Sequence, residues 1–313
     1  MTETTATKRI DLLLTPPTLE NALSIEHTDE LVLLDKEPYS GDLPVVNYGL
    51  AQESLQSLAD IPSPRANTYV LNVKEMTMEG DRVRLRTNYT TMRSQFALRR
   101  WVPALPPESK ERQLILQYVL PIGGAMILET ADEHILIEER GKVEIPGKYH
   151  PAPAGGCETR DWRVFPEPFR SIQGEAWEET ALLPGQDYGP VSLIGVARDH
   201  TEGLNPVFTY HAKTSLALEE VKQKADNLAP EAGEHQRLFG ASVHPKGLLD
   251  FLIQHQEKII GNGLGEILVF GSTRFGREEW LDPAIRELAK EGWEVHPYDY
   301  FPPRTNIASG WFY

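Results

Sequence analysis

Two rhythms of apolar and polar positions run along the chain. TYVLNVKEMTM and RVRLRTNYTT alternate on either side of Glu79, Gly80 and Asp81, which predicts an antiparallel hairpin. AMILETADEHILIEER repeats that signature about the turn ADEH, and VSLIGVARD and NPVFTYHAKTSL supply two further strands. A spacing of three and four instead links Phe169, Ile172, Ala176, Thr180 and Leu183, so this stretch forms a helix docked by one narrow stripe. Pro166 and Pro168 suit its start and Pro184 with Gly185 its stop. Residues 45–61 have helical spacing too, with Leu50, Leu55 and Leu58 available for burial, and residues 227–260 read as loop, strand and amphipathic helix.

The ends of the chain read differently. Residues 1 to about 18, broken by Pro16 and Pro17, are expected to form a flexible arm. The tail GEILVFGSTRFGREEWLDPAIRELAKEGWEVHPYDYF suggests strand, tight turn, helix and strand, a βαβ-like unit whose turn Gly271–Gly276 would offer backbone N–H groups to a phosphate. Gly261, Gly263 and Gly265 precede the first strand of that unit and do not fit a dinucleotide fingerprint. The proline-rich, charged run 102–112 is the expected boundary, cut near Pro107, and Arg93, Arg99 and Arg100 form a basic interruption before it.

Composition narrows the class. With 313 residues and 40% hydrophobic content the chain can bury one elaborated core or two modest ones. A formal net charge of -15 argues against binding a nucleic-acid backbone or an anionic membrane, and no apolar run is long enough to span a bilayer, so a cytoplasmic protein is expected. The single cysteine, Cys157, excludes an internal disulfide framework, and the nine histidines show no zinc-ligand spacing.

The chemistry concentrates on the helix through residues 169–183. Glu175, Glu178 and Glu179 share one face beside the apolar stripe. Like charges at that spacing repel, and a hard divalent cation bound by carboxylate oxygens is the natural compensation. Upstream, Pro153, Ala154, Gly155 and Gly156 make a glycine turn that leads by a loop into the helix.

This order of hairpin, glycine turn and acidic helix resembles the Nudix hydrolase family, whose signature is G-x5-E-x7-R-E-U-x-E-E-x-G-U with U aliphatic. Glu175 matches the glutamate of the R-E pair, Ala176 the aliphatic position, Glu178 and Glu179 the E-E pair, and Leu182 the closing aliphatic. Gly174 stands in place of the arginine and Ala181 in place of the late glycine. Gly156 lies nineteen residues before Glu175 where the signature has fifteen, which leaves the loop glutamate open between Glu158 and Glu167.

The resemblance implies an α/β fold, a mixed β-sheet sandwiched between helices over residues 113–262; the rest of the chain reads as an additional N-terminal α+β region, β-rich, over 1–107 and a C-terminal extension over 263–313 packed on that domain. It also implies a metal-dependent hydrolase that cleaves a diphosphate linkage in a nucleoside diphosphate joined to another moiety. Mg2+ or Mn2+ would be held by Glu175, Glu178 and Glu179, and a late-loop acid, Glu234 with Glu231 behind it, would approach the site. Glu178, Glu179 and Glu234 are the implied catalytic acids, with the general base open between Glu178 and Glu234. Trp162, Phe165 and Tyr149 offer stacking surfaces. The partner implied is a small-molecule diphosphate, with no nucleic acid and no membrane, and a homodimer stays open. The competing class is a Nudix-like ligand-binding or interaction module that has lost catalysis.

Overall fold

The computed structural model describes residues 8–33, 45–47, 68–79, 82–92, 94–95, 121–141, 145–200 and 205–298. Arg93, Arg99, Arg100, the run 102–112 and most of the helix expected over 45–61 lie outside them. The chain divides into two compact units. The first draws on the described parts of Met1–Glu20, Gly123–Gly155 and Pro168–Tyr300, the second on those of Asn21–Ile122 and Gly156–Glu167.

The first unit is built on a mixed sheet. Its strands are β1 (Lys8–Leu19), β6 (Gly123–Glu129), β7 (His134–Arg140), β8 (Tyr149–Pro151), β9 (Ala154–Gly156), β11 (Ser192–Asp199), β12 (Pro206–Lys213), β13 (His235–Ser242) and β14 (Trp293–Tyr298). They run in the order β13-β7-β6-β12-β11-β1-β14, with β8 on β7 and β9 on β6. Two neighbours are parallel, β12 with β6 and β1 with β14, whereas β6–β7, β7–β13, β11–β12 and β1–β11 are antiparallel.

Among the described residues five helices cover this sheet: α1 (Pro168–Thr180), α2 (Leu218–Leu228), α3 (Pro245–His255), α4 (Gly261–Phe275) and α5 (Asp282–Lys290). Successive side chains of β12 show which face each takes, because neighbours on a strand point to opposite sides. Tyr210 meets Phe169 of α1 edge to face at 5.0 Å, and His211 meets Phe270 of α4 at 5.3 Å. The sheet therefore lies between α1 and α4. The core on the α4 side joins Ile10, Leu12, Ile194 and Ala197 of the strands to Leu264, Ile267, Leu268 and Phe270.

The second unit holds β2 (Leu23–Leu33), β3 (Val45–Asn47), β4 (Tyr69–Glu79), β5 (Arg82–Thr91) and β10 (Glu158–Thr159) in the order β10-β4-β5-β2-β3. The predicted hairpin is β4–β5, antiparallel from Glu79↔Arg82 to Tyr69↔Thr91. Val83 and Leu85 are buried while Arg82, Arg84 and Arg86 are exposed, and Arg86 reaches Glu75 on β4 at 3.0 Å.

Four expectations are corrected. Residues 8–19 form a strand and not a flexible arm, because Ile10, Leu12 and Leu13 are fully buried between β11 and β14; the register shift between Leu14 and Thr18 accommodates Pro16 and Pro17. Residues 45–47 are a strand paired with β2, not the start of a helix. GEILVF belongs to α4 and is not a strand, so the tail is not a βαβ unit. A short apolar run fits a buried helix as well as a buried strand. α4 is buried on every side from Gly261 to Ser272, and a Cβ on Gly265 would stand 2.7 Å from Ala197 Cβ, so glycine there lets the helix close onto the sheet. Gly271 to Phe275 finish that helix, and its backbone groups are committed to it; the phosphate cradle expected there is not formed.

Candidate active site

α1 forms where its pattern places it. Pro168 opens the helix at a position whose missing N–H costs nothing, and Phe169, Ile172, Ala176 and Thr180 are buried along one stripe. Leu183 lies beyond the helix and is 39% exposed, so it does not extend the stripe. Termination comes at Ala181, which turns into the left-handed region with φ 56° and donates its N–H to the Trp177 carbonyl at 2.9 Å. This is the residue that stands where the family signature has glycine.

The three glutamates of α1 have different surroundings. Glu178 is exposed, Glu175 is half-buried and Glu179 is buried. Glu175 and Glu179 both face the turn of β9. The Ala154 N–H donates to Glu179 Oε2 at 3.2 Å, and the Glu175 carboxylate lies so close over Gly155 that a Cβ there would fall 2.0 Å from Oε1. The glycine turn thus makes room for a carboxylate. Burial pushes the Glu179 carboxyl well above its usual range, and the charges of Glu138 and Glu175 push it the same way, against the Ala154 N–H and Arg140.

Glu138, on β7, was not singled out by the sequence pattern, which shows only an acid at the end of the apolar run ILIEER. It is 3% exposed and surrounded by cationic or polar groups. His235 Nδ1 lies 2.5 Å from its Oε2, Arg140 reaches Oε1 at 3.4 Å, and His150, its cross-strand neighbour on β8, stands 3.9 Å away. Burial acts to raise the Glu138 carboxyl, but the His235 hydrogen bond and the charges of Arg140, His150 and His235 together hold it below the usual range. Behind His150 lies Glu266 of α4, fully buried, with Oε1 3.3 Å from His150 Nε2. The sequence pattern singled out neither His150, one of nine histidines without ligand spacing, nor Glu266, hidden in an apolar run.

The late loop reaches α1 through its backbone. Glu231 donates its N–H to the Glu178 carbonyl at 2.8 Å, Gly141 donates to the Glu234 carbonyl at 2.7 Å, and His235 Nε2 lies 3.3 Å from the Glu179 carbonyl. Glu234 ends a short 3-10 turn, Ala232–Glu234, and is half-buried, as is Glu231. Of the other residues expected near a site, Tyr149 is buried against Phe239 and His255 in the first unit. In the second unit, Phe165 packs on His27, the Tyr89 hydroxyl donates to the Trp162 carbonyl, and Glu158 pairs with Val70 of β4.

The fit to a cation can be tested on these groups. Among the described residues no three His, Cys, Asp or Glu side chains converge on one ion position. The donor chemistry does suit a hard divalent ion, since two carboxylates face one glycine turn and a cation there would offset the burial and neighbouring charges that oppose ionisation of Glu179.

Neither a family model nor a curated protein matches the chain. Among solved structures, the NUDIX domain of NrtR from Shewanella oneidensis, crystallised with ADP ribose, aligns with 49% of this chain and 86% of its own at 14% identity and a TM-score of 0.34. The MutT protein of Methanosarcina mazei Go1 aligns with 50% of this chain and 93% of its own at 17% identity and a TM-score of 0.28.

Proposed function

We propose that the chain is a metal-dependent hydrolase that cleaves a diphosphate linkage in a nucleoside diphosphate joined to another moiety, with Glu175, Glu178 and Glu179 as the carboxylates of its cation. The observation that carries this reading is the convergence of two α1 carboxylates on the β9 turn, Glu175 over Gly155 and Glu179 on the Ala154 N–H, where burial, Glu138 and Glu175 all oppose ionisation of Glu179. A divalent cation relieves that opposition. Magnesium or manganese bound there would neutralise phosphate oxygens and acidify a bound water. The chain's own part is to hold Glu175 over Gly155, to fix Glu179 on the Ala154 N–H, and to present Glu178 or Glu234 as the base that takes the proton of the attacking water.

A second reading, a ligand-binding module without turnover, draws on Gly174 and Ala181 at two signature positions and on the exposure of Glu178. Hydrolysis assays of the parent, Glu178→Gln and Glu179→Gln against a panel of nucleoside diphosphate derivatives with magnesium or manganese separate the two. Turnover by the parent with a loss of roughly 100-fold in each variant supports the hydrolase, since each change removes a carboxylate from the cation or a base from the water. Glu179→Gln should meanwhile be at least as stable as the parent at neutral pH. A carboxyl whose folded-state pKa lies above its unfolded value loses stability as pH rises past 4.5, and glutamine removes that loss. Equal turnover by all three proteins rejects the glutamate assignment, and metal binding without any turnover by the parent favours the binding module.

A further inference from the structure

We infer that His235 is a positioning residue for the acidic site: it holds the loop of Glu231 and Glu234 against the last turn of α1 and so sets how tightly the site takes a divalent cation. This rests on the metal reading proposed above. The last carbonyls of a helix have no donor within the helix. On α1 two consecutive ones are met by this loop, Glu178 by the Glu231 N–H at 2.8 Å and Glu179 by the His235 ring at 3.3 Å. The other ring nitrogen faces Glu138 of β7 at 2.5 Å, and the Gly141 N–H, just past the end of β7, holds the Glu234 carbonyl at 2.7 Å. The loop is therefore pinned both to the acidic helix and to the strand.

The His235 side chain is 4% exposed, so water scarcely competes for either bond, and both partners are acceptors that the ring alone bridges. Truncating it would leave the Glu179 carbonyl short of a donor and Glu138 short of its nearest hydrogen-bond partner. Glu138 would keep Arg140 and His150, which is why the fold should survive. What should be lost is the placement of the Glu179 backbone and of the acids in the loop. Groups that orient metal ligands in this way typically account for about 10- to 100-fold in affinity.

Calorimetric titration of the full chain with manganese chloride tests the inference on the parent, His235→Ala, His235→Gln, Glu138→Gln and the His235→Ala/Glu138→Gln double variant. Manganese should bind the parent, and His235→Ala should weaken it by about 10- to 100-fold. His235→Gln keeps bulk and one donor, and should recover part of that loss. The double variant should bind no more weakly than His235→Ala, because the histidine acts partly through Glu138 and coupled residues are not additive. Parent affinity in His235→Ala overturns the inference while leaving the metal reading intact, as does a double variant whose loss is the product of the single losses. A parent that takes up no manganese overturns the metal reading and the inference with it. Should His235→Ala fail to fold, unchanged affinity in His235→Gln overturns the inference.

Discussion

Ala181 holds a backbone conformation, φ 56°, that costs an L-residue about 1–2 kcal/mol and costs glycine nothing. Glycine in turn gives the unfolded chain about 0.4–1 kcal/mol more freedom, so Ala181→Gly should stabilise the protein by about 0.5–1 kcal/mol, read as a higher urea midpoint at an unchanged denaturant slope. A lower midpoint would mean that the buried methyl group contributes more than the strain it requires. The three glutamates and the glycine turn were legible at this scale because like charges at helical spacing and paired glycines are conspicuous in a sequence. Glu138, His150, His235 and Glu266 were not, because what brings them together is contact between segments far apart along the chain; the hydrogen bond between Glu138 and His235 spans 97 positions.

The elements divide by how local their signals are. The hairpins β4–β5 and β6–β7, the acidic helix and strands β11 and β12 carry their own periodicity and turn residues, and they formed where that periodicity placed them. α4 defeated the same reasoning, since an apolar run enclosed on all sides has no exposed face to mark its period. Its C-terminal half makes a close contact that can be tested: Gly271 lies against the indole of the buried Trp280, so that a Cβ would fall 1.9 Å from Nε1. Trp280 belongs to the π-helical turn Arg277–Leu281, which joins α4 to α5. Gly271→Ala must push that ring out of its seat, at the roughly 1–3 kcal/mol typical of overpacked cores, read in a denaturant titration. A loss below a few tenths of a kcal/mol would show that the π turn yields freely.

At the scale of the whole molecule, acidity should destabilise the fold through its histidines. Burial holds His27, His200, His211 and His255 below their ordinary value; for His200 and His211 it prevails over the hydrogen-bonded carboxylates Asp11 and Glu129. The unfolded chain then takes up protons at higher pH than the folded one, so stability is full above 6.5 and is lost as pH falls through that value. Asp11 and Glu129 are also depressed, which extends the loss below about 4.5. Glu179 acts in the opposite sense, so the comparison is cleanest in Glu179→Gln, where the thermal midpoint should drop between about pH 7.5 and 5.5 and drop less when His211→Gln is added. A midpoint that stays level or rises over that interval contradicts the assignment. The pairing of β1 with β11 and β14 has a consequence for how the chain is made. On the ribosome the first of these strands emerges long before its two neighbours, which begin at Ser192 and Trp293. Ile10, Leu12 and Leu13 must wait unburied until both arrive. Contacts so distant along the chain also slow folding. The nascent protein therefore carries a sticky segment until Trp293–Tyr298 has been made, and a growing chain in that state is a natural client for chaperones.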